Sequence, residues 1–310
     1  MGAVGQLSDT MHRRYVTCDV FTDRPFGGNP LAVVLDGDGL SGAQMQAIAT
    51  EFNYSETTFV CAPEDPAHTA KVRIFTPRVE IPFAGHPNVG TAVMLAREHA
   101  ERGKPPSDAF VFEEAAGLVS IRLLRTERGV VGAELKVPKP LSILATASAQ
   151  DAAECLSLTS ADVNTKTHAP QALSVGLPFL VVELSDRDAL RRAKPNLLAH
   201  ERLLPPMGTD AVCAYARDPG AHELHVRVFA PLDGCIEDPA TGSAVGATIA
   251  HLAALESVSG ASIEWRIQQG HHMGRPSLIR GRTEKSGGAV RAVYVAGEAV
   301  PIMKGTLLSS

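Results

Sequence analysis

His86-Pro87-Asn88-Val89-Gly90-Thr91-Ala92-Val93 is answered in the second half of the chain by Asp238-Pro239-Ala240-Thr241-Gly242-Ser243-Ala244-Val245. Upstream, Arg73-Ile74-Phe75-Thr76-Pro77 matches Arg227-Val228-Phe229-Ala230-Pro231, and Asn29-Pro30-Leu31-Ala32-Val33-Val34 echoes Leu177-Pro178-Phe179-Leu180-Val181-Val182. Any one short match arises by chance, because strand-turn-helix units reuse Pro, Gly and small residues at similar places. Three in the same order, at nearly constant separation, read as one α/β unit written twice.

Residues 89–96 are apolar nearly all round, and so is their counterpart over 242–252. A helix with no polar face must be wrapped on every side. The expectation is a strongly curved sheet closing around a central helix, once in each half. Strand patterns flank both helices: 14–21, 31–35, 57–61 and 70–75 precede a helix expected over 88–99, and 110–113, 118–124 and 132–137 follow it. In the second half, 262–268, 277–280 and 289–296 play the latter part. Residues 44–52 read as a short amphipathic helix. Pro138-Lys139-Pro140 stiffens the chain as a linker does and marks the seam. The lobes expected are 12–136 with 290–310, and 137–289.

The chain has 310 residues, 45% hydrophobic and 20% charged, which suits two folded domains of roughly 150 residues. Net charge is −5, and no Lys/Arg cluster supplies the basic face that displaces counterions from a duplex. Nucleic acid is therefore excluded as a main partner. Nor is there an apolar run of roughly 18 residues, as a membrane-spanning helix requires. Residues 1–10 lack the basic and apolar regions of a signal peptide. Met11-His12-Arg13-Arg14 reads as an alternative start, with 1–11 a flexible extension. Five scattered cysteines, without a Cys-x-x-Cys pair, indicate reduced thiols in a cytoplasmic protein.

Each helix start carries a polar residue before a proline, in Gly85-His86-Pro87 and Glu237-Asp238-Pro239. Proline suits a first helical turn, and the free N–H groups there, with the positive end of the dipole, suit a carboxylate. Asp238 reads either as an ordinary N-cap or as a functional acid. His86, a poor cap, is either a plain buried or surface histidine or part of a site. Their equivalence under the repeat would set them on facing walls of a cleft. Glu56, in Tyr54-Ser55-Glu56-Thr57-Thr58-Phe59, is either a solvated strand-start residue or a carboxylate drawn inward. Burial would raise its pKa and let one group both take and return a proton near neutrality.

Other constellations fail. Gly85-x-x-x-x-Gly90-Thr91 lacks the lysine of a phosphate loop, and no Gly-x-Gly-x-x-Gly follows a strand. His271-His272 has no third ligand at metal spacing and reads as a surface turn, so no metal is expected. Neither helix start bears a cysteine, which disfavours a two-thiol racemase. Cys235 reads as a packing residue.

Gly28-Asn29-Pro30-Leu31-Ala32-Val33, Tyr54-Ser55-Glu56-Thr57-Thr58-Phe59-Val60, Pro82-Phe83-Ala84-Gly85-His86-Pro87, Glu237-Asp238-Pro239-Ala240-Thr241-Gly242-Ser243-Ala244 and Gln269-Gly270…Gly274-Arg275-Pro276-Ser277 together resemble the phenazine-biosynthesis PhzF isomerase family. The resemblance runs from about Met11 to the C-terminus. It implies an α+β, diaminopimelate-epimerase-like fold: two pseudo-repeated domains, each a curved, barrel-like sheet around a central helix, with the site between them. It also implies a homodimer, no cofactor, Glu56 as proton carrier, and His86 and Asp238 assisting. Asn88 after Gly-His-Pro, and the stretch 232–236, depart from the familiar pattern and are expected to line the pocket.

The reading is a cofactor-independent isomerase that shifts a proton on a small unsaturated carboxylate resembling trans-2,3-dihydro-3-hydroxyanthranilate. Gly85, Asn88, Thr241, Gly242 and Ser243 are the expected substrate contacts. Two alternatives stay open: an amino-acid epimerase pairing Glu56 with an acid on the other wall, and a non-catalytic small-ligand binder of the same fold.

Overall fold

The computed structural model describes residues 11–105, 107–127, 129–218, 222–258 and 260–309. The first half runs β1 (Met11–Val20), β2 (Asn29–Val34), α1 (Gly42–Phe52), β3 (Glu56–Cys61), β4 (Ala70–Phe75), β5 (Glu80–Ile81), α2 (Gly85–Glu101), β6 (Ala109–Glu114), β7 (Gly117–Thr126) and β8 (Gly129–Lys136). After Pro138-Lys139-Pro140 come β9 (Ser142–Thr146), α3 (Ala149–Cys155), β10 (Gln171–Ser174), β11 (Pro178–Glu183), α4 (Arg187–Arg192), α5 (Leu197–Leu203), β12 (Val212–Arg217), β13 (Glu223–Ala230), β14 (Cys235–Asp238), α6 (Gly242–Leu255), β15 (Ser262–Gln269), β16 (Ser277–Ser286) and β17 (Ala289–Ser309).

The repeat is visible in the strand pairing. In the first half β1 and β2 are antiparallel, β2 and β3 parallel, β3 and β4 antiparallel, β4 and β6 parallel, and β6, β7 and β8 antiparallel. In the second half β10, β11, β12, β13, β15, β16 and β17 repeat that sequence of directions. The closing strands are exchanged. β9, which follows the first half, pairs with β10, and the far end of β17 pairs with β1 from Met11↔Ser309 to Val20↔Ala299. Between these, Tyr294–Glu298 of β17 pairs with β8, so one long strand stitches the halves together. Met11 is thus the first residue of a strand, and the rest of the expected extension lies outside the described residues.

Each central helix fills its sheet. Gly85 through Ala96 are all buried in α2, as are Ala244 through Ala253 in α6. Helix α2 packs on β1, β2, β3, β7, β8 and β17, and α6 on β10, β11, β15, β16 and β17. Close approach requires small residues: a Cβ on Gly90 would lie 2.6 Å from Leu31 Cδ2 and 2.7 Å from Val20 Cγ2. Outside the sheets, α1 seals Val34, Phe59 and Phe75 with Met45 and Ala49. On the second half α3, α4 and α5 cover Leu180, Val182, Val212 and Phe229.

Two expectations need correction. Helix α2 begins at Gly85, three residues ahead of the expected Asn88, so His86 and Pro87 belong to its first turn. Proline is accepted there because first-turn N–H groups have no intrahelical partner. Asp238, in contrast, ends β14 opposite Val228, and Thr241 is the N-cap residue of α6. The short strands β5 and β14 are equivalent, each pairing with the strand before it. They lead into Pro82-Phe83-Ala84-Gly85 and Pro239-Ala240-Thr241-Gly242. The structural counterpart of His86 is therefore Ser243, the second residue of α6, and not Asp238.

Candidate active site

Glu56 opens β3, beside Leu31 of β2. Thr57 through Val60 behind it are buried, and the strand carries the carboxyl inward until its side chain is 16% exposed. Burial, and after it the charge of Asp238, push the Glu56 pKa up to about 8. His86 is buried at the start of α2, with Nε2 3.2 Å from Glu56 Oε2. The contact lies off the line of a hydrogen bond, and neither atom has a hydrogen-bond partner among the described residues. Burial pulls the His86 pKa down to about 3. Near neutrality the histidine is neutral and most of the acid is protonated, so this is not an ion pair.

Asp238 completes the cluster. It accepts from Thr241 Oγ1 at 2.5 Å and from Asn29 Nδ2 at 2.8 Å. Burial raises its pKa to about 6, against the pull of those two hydrogen bonds. Gln269, buried on β15, secures the same turn. Its Nε2 donates to the Asp238 carbonyl at 2.8 Å and to Thr241 Oγ1 at 3.0 Å, while its Oε1 accepts from the Thr241 N–H at 3.1 Å.

Asn29 joins the walls. Fully buried, it donates through Nδ2 to Asp238 Oδ1 and to the Ala240 carbonyl at 2.9 Å, and it accepts from Ser55 Oγ at 2.9 Å. Its Nδ2 also lies 3.5 Å from His86 Nδ1. One amide thus touches Glu56's neighbour, the histidine and the opposing aspartate. Gly28 before it has φ +62°, and a Cβ there would collide with the Val20 carbonyl oxygen, so glycine sets the approach of Asn29. Arg275 holds the same loop through Asp19 Oδ1 at 2.5 Å and the carbonyls of Gly27 and Gly28 at 2.8 Å.

The two helix starts meet. A Cβ built on Gly85 would lie 3.6 Å from Gly242 Cα and 3.8 Å from the Ser243 nitrogen. Neither helix has a side-chain cap, so two positive helix ends converge where an anion can be held. Thr241, Gly242 and Ser243 lie at this point with Gly85.

Asn88 does not join them. Two positions beyond His86, it projects roughly 200° around the helix; it is fully buried and donates to the Ala84 carbonyl at 3.0 Å. It lies beside Glu114, whose pKa burial raises to about 8. Of the stretch 232–236, Cys235 donates to the Glu237 carbonyl at 3.3 Å. His271-His272-Met273 forms an exposed single turn.

The spacing of residues did not single out Asn29, Ser55 or Gln269. All three did stand in the motifs of the family resemblance, and for Asn29 a polar residue heading the apolar run 30–34 was the available signal.

The phenazine biosynthesis-like protein model, PhzC-PhzF, matches residues 18–305. The trans-2,3-dihydro-3-hydroxyanthranilate isomerase of Pseudomonas aeruginosa is 37% identical over 95% of this chain and 99% of its own. The crystal structure of a PhzF-family phenazine biosynthesis protein from Bacillus anthracis superposes with a TM-score of 0.84 at 26% identity, over 96% of this chain and 99% of that one. The fold extends beyond the family: a hydroxyproline epimerase from Agrobacterium vitis matches with a TM-score of 0.66 at 12% identity, over 96% and 92% of the two chains. Among the described residues no helix is long and apolar enough to cross a membrane. With its duplicated α+β architecture of the diaminopimelate-epimerase type, the chain belongs to the PhzC-PhzF family and is an isomerase.

Proposed function

We propose that Glu56 is the proton carrier of a cofactor-free isomerisation of a small unsaturated carboxylate, in a cleft between lobes 12–136 with 290–310 and 137–289. The observation that carries this reading is a sheltered carboxyl with its pKa near 8, in contact with a neutral histidine and within the field of a second acid. In its ionised form Glu56 takes a proton from a carbon acidified by conjugation. The electron pair moves into the adjoining double bonds, and Glu56 returns the same proton to another carbon on that face. Substrate and product have the same formula, and the carboxylate is regenerated.

His86 and Asp238 hold polar groups of the substrate and stabilise charge as it develops. The first turns of α2 and α6, with Gly85, Thr241, Gly242 and Ser243, receive its carboxylate. The substrate class follows from the relative that acts on trans-2,3-dihydro-3-hydroxyanthranilate. A cytoplasmic homodimer goes with the same reading. Asp238, its pKa raised to about 6, is what an epimerase would use as a second acid. Exchange of an α-hydrogen without movement of double bonds would mark that alternative.

The test is to assay trans-2,3-dihydro-3-hydroxyanthranilate and other unsaturated ring carboxylates with the wild type and Glu56→Gln. Isomerisation by the wild type and its loss in a folded variant are expected. Near-normal turnover by Glu56→Gln would refute the role.

A further inference from the structure

A cleft of about 710 Å³ opens at the far end of α2, within the range of small-molecule sites. Arg97, on its wall, lies eleven residues beyond His86 in sequence, roughly 16 Å along the helix axis. The floor is apolar, made by Val16, Met94, Phe110, Leu123, Val130 and Ile302. Around it stand four cations: Arg97, Lys104, Arg125 and Lys304.

The acids on the same wall do not balance them. Glu98 is engaged by Arg14 and by Arg102 at 2.7 Å, and Glu101 is exposed. Arg125 reaches Asp108 only at 3.7 Å. Arg97 is half-buried, its Nε is fully enclosed, and among the described residues it has no hydrogen bond or ion pair. The buried Cys18 thiol feels its charge, but burial drives that pKa upward, so the thiol is neutral and no counter-ion. The guanidinium therefore carries a charge that no acid partners, and an anion in the cleft that Arg97 lines would supply that partner.

We propose that this cleft is a second ligand site, separate from the Glu56 cluster, for a small organic anion whose carboxylate or sulfonate meets Arg97 and whose apolar body lies on the floor. Recognition is by charge and by apolar contact together, so inorganic anions bind weakly.

The test is calorimetric titration of the full chain with benzoate, 4-phenylbutyrate and naphthalene-2-sulfonate, beside 4-phenylbutanamide and sulfate. At least one organic anion should bind with sub-millimolar Kd and one site per chain, at least tenfold tighter than the amide or sulfate. Arg97→Met should weaken it at least tenfold. So should Met303→Glu, which places a carboxylate at an exposed position of the cleft and serves if the arginine variant does not fold. Glu56→Gln should leave it unchanged. Equal binding of acid and amide, no binding by any of the three anions, undiminished binding by both folded variants, or loss in Glu56→Gln would each overturn the proposal. So would sedimentation showing that the two cleft variants split a dimer, because the cleft would then be covered by a second copy.

Discussion

Glu56 Oε2 and His86 Nε2 stand 3.2 Å apart, with the acid's pKa raised to about 8 and the histidine's lowered to about 3. Burial is the leading cause of both shifts, because it penalises the charged form of each. A contact that would be a salt bridge at the surface is here a pair of groups that are both mainly uncharged near neutrality. The carboxyl is the one whose charge changes within the physiological range.

That assignment fixes a pH dependence of turnover. A base must be ionised to accept a proton, so kcat/KM should rise about tenfold per pH unit below pH 8 and level off above it. The profile of the free enzyme from pH 6 to 9 checks this. A flat profile would mean that Glu56 is already ionised at pH 6.

Stability should run the other way. Glu56 has a folded pKa of about 8 against an ordinary 4.5, so its contribution is complete below the unfolded value and is lost as pH rises through the folded one. Each pH unit over which the folded acid stays protonated while the unfolded one is ionised counts about 1.4 kcal/mol. Between pH 6 and 9 the loss should be about 3 kcal/mol. Denaturant unfolding at both pH values should show Glu56→Gln losing clearly less than the wild type.

Asn29 should behave as a positioning residue. Asn29→Ala removes the 2.8 Å donor that helps keep Asp238 ionised, and a hydrogen bond to a charged group is worth about 1.5–3 kcal/mol. A fall in kcat/KM of roughly 10- to 100-fold is expected, larger at pH 6 than at pH 8, because Asp238 without that donor stays protonated to higher pH. Loss of stability with an unchanged profile would reduce Asn29 to a packing role.

The duplicated fold was legible because two helices without a polar face leave few ways to be buried. The wrapping strands followed from that demand. What spacing alone obscured was the alignment of the halves at the site. Proline and small residues match in more than one register, which set His86 against Asp238, whereas strand pairing sets it against Ser243. Asn29 was hidden because its partners, Ser55, Ala240 and Asp238, come together only when the sheets close. The last strand, expected over 289–296, runs on through Pro301 to Ser309 as β17, with a bulge between the pairs Thr17↔Met303 and Cys18↔Pro301.

The wrapped-helix account is testable at Gly90, whose missing Cβ lets α2 approach Leu31 and Val20. Gly90→Val should cost about 3 kcal/mol by overpacking, seen as a lower denaturant midpoint. A midpoint within error of the wild type would contradict such close packing.

The most direct test of the proton carrier is to run the reaction in D₂O and locate deuterium in the product by mass spectrometry and NMR. Wild-type product should carry deuterium only at the carbon that gains a proton, at less than one atom per molecule where Glu56 returns the abstracted proton before exchange. Glu56→Gln should form no product and exchange no hydrogen. Product made by that variant with the wild-type isotope pattern would contradict the claim.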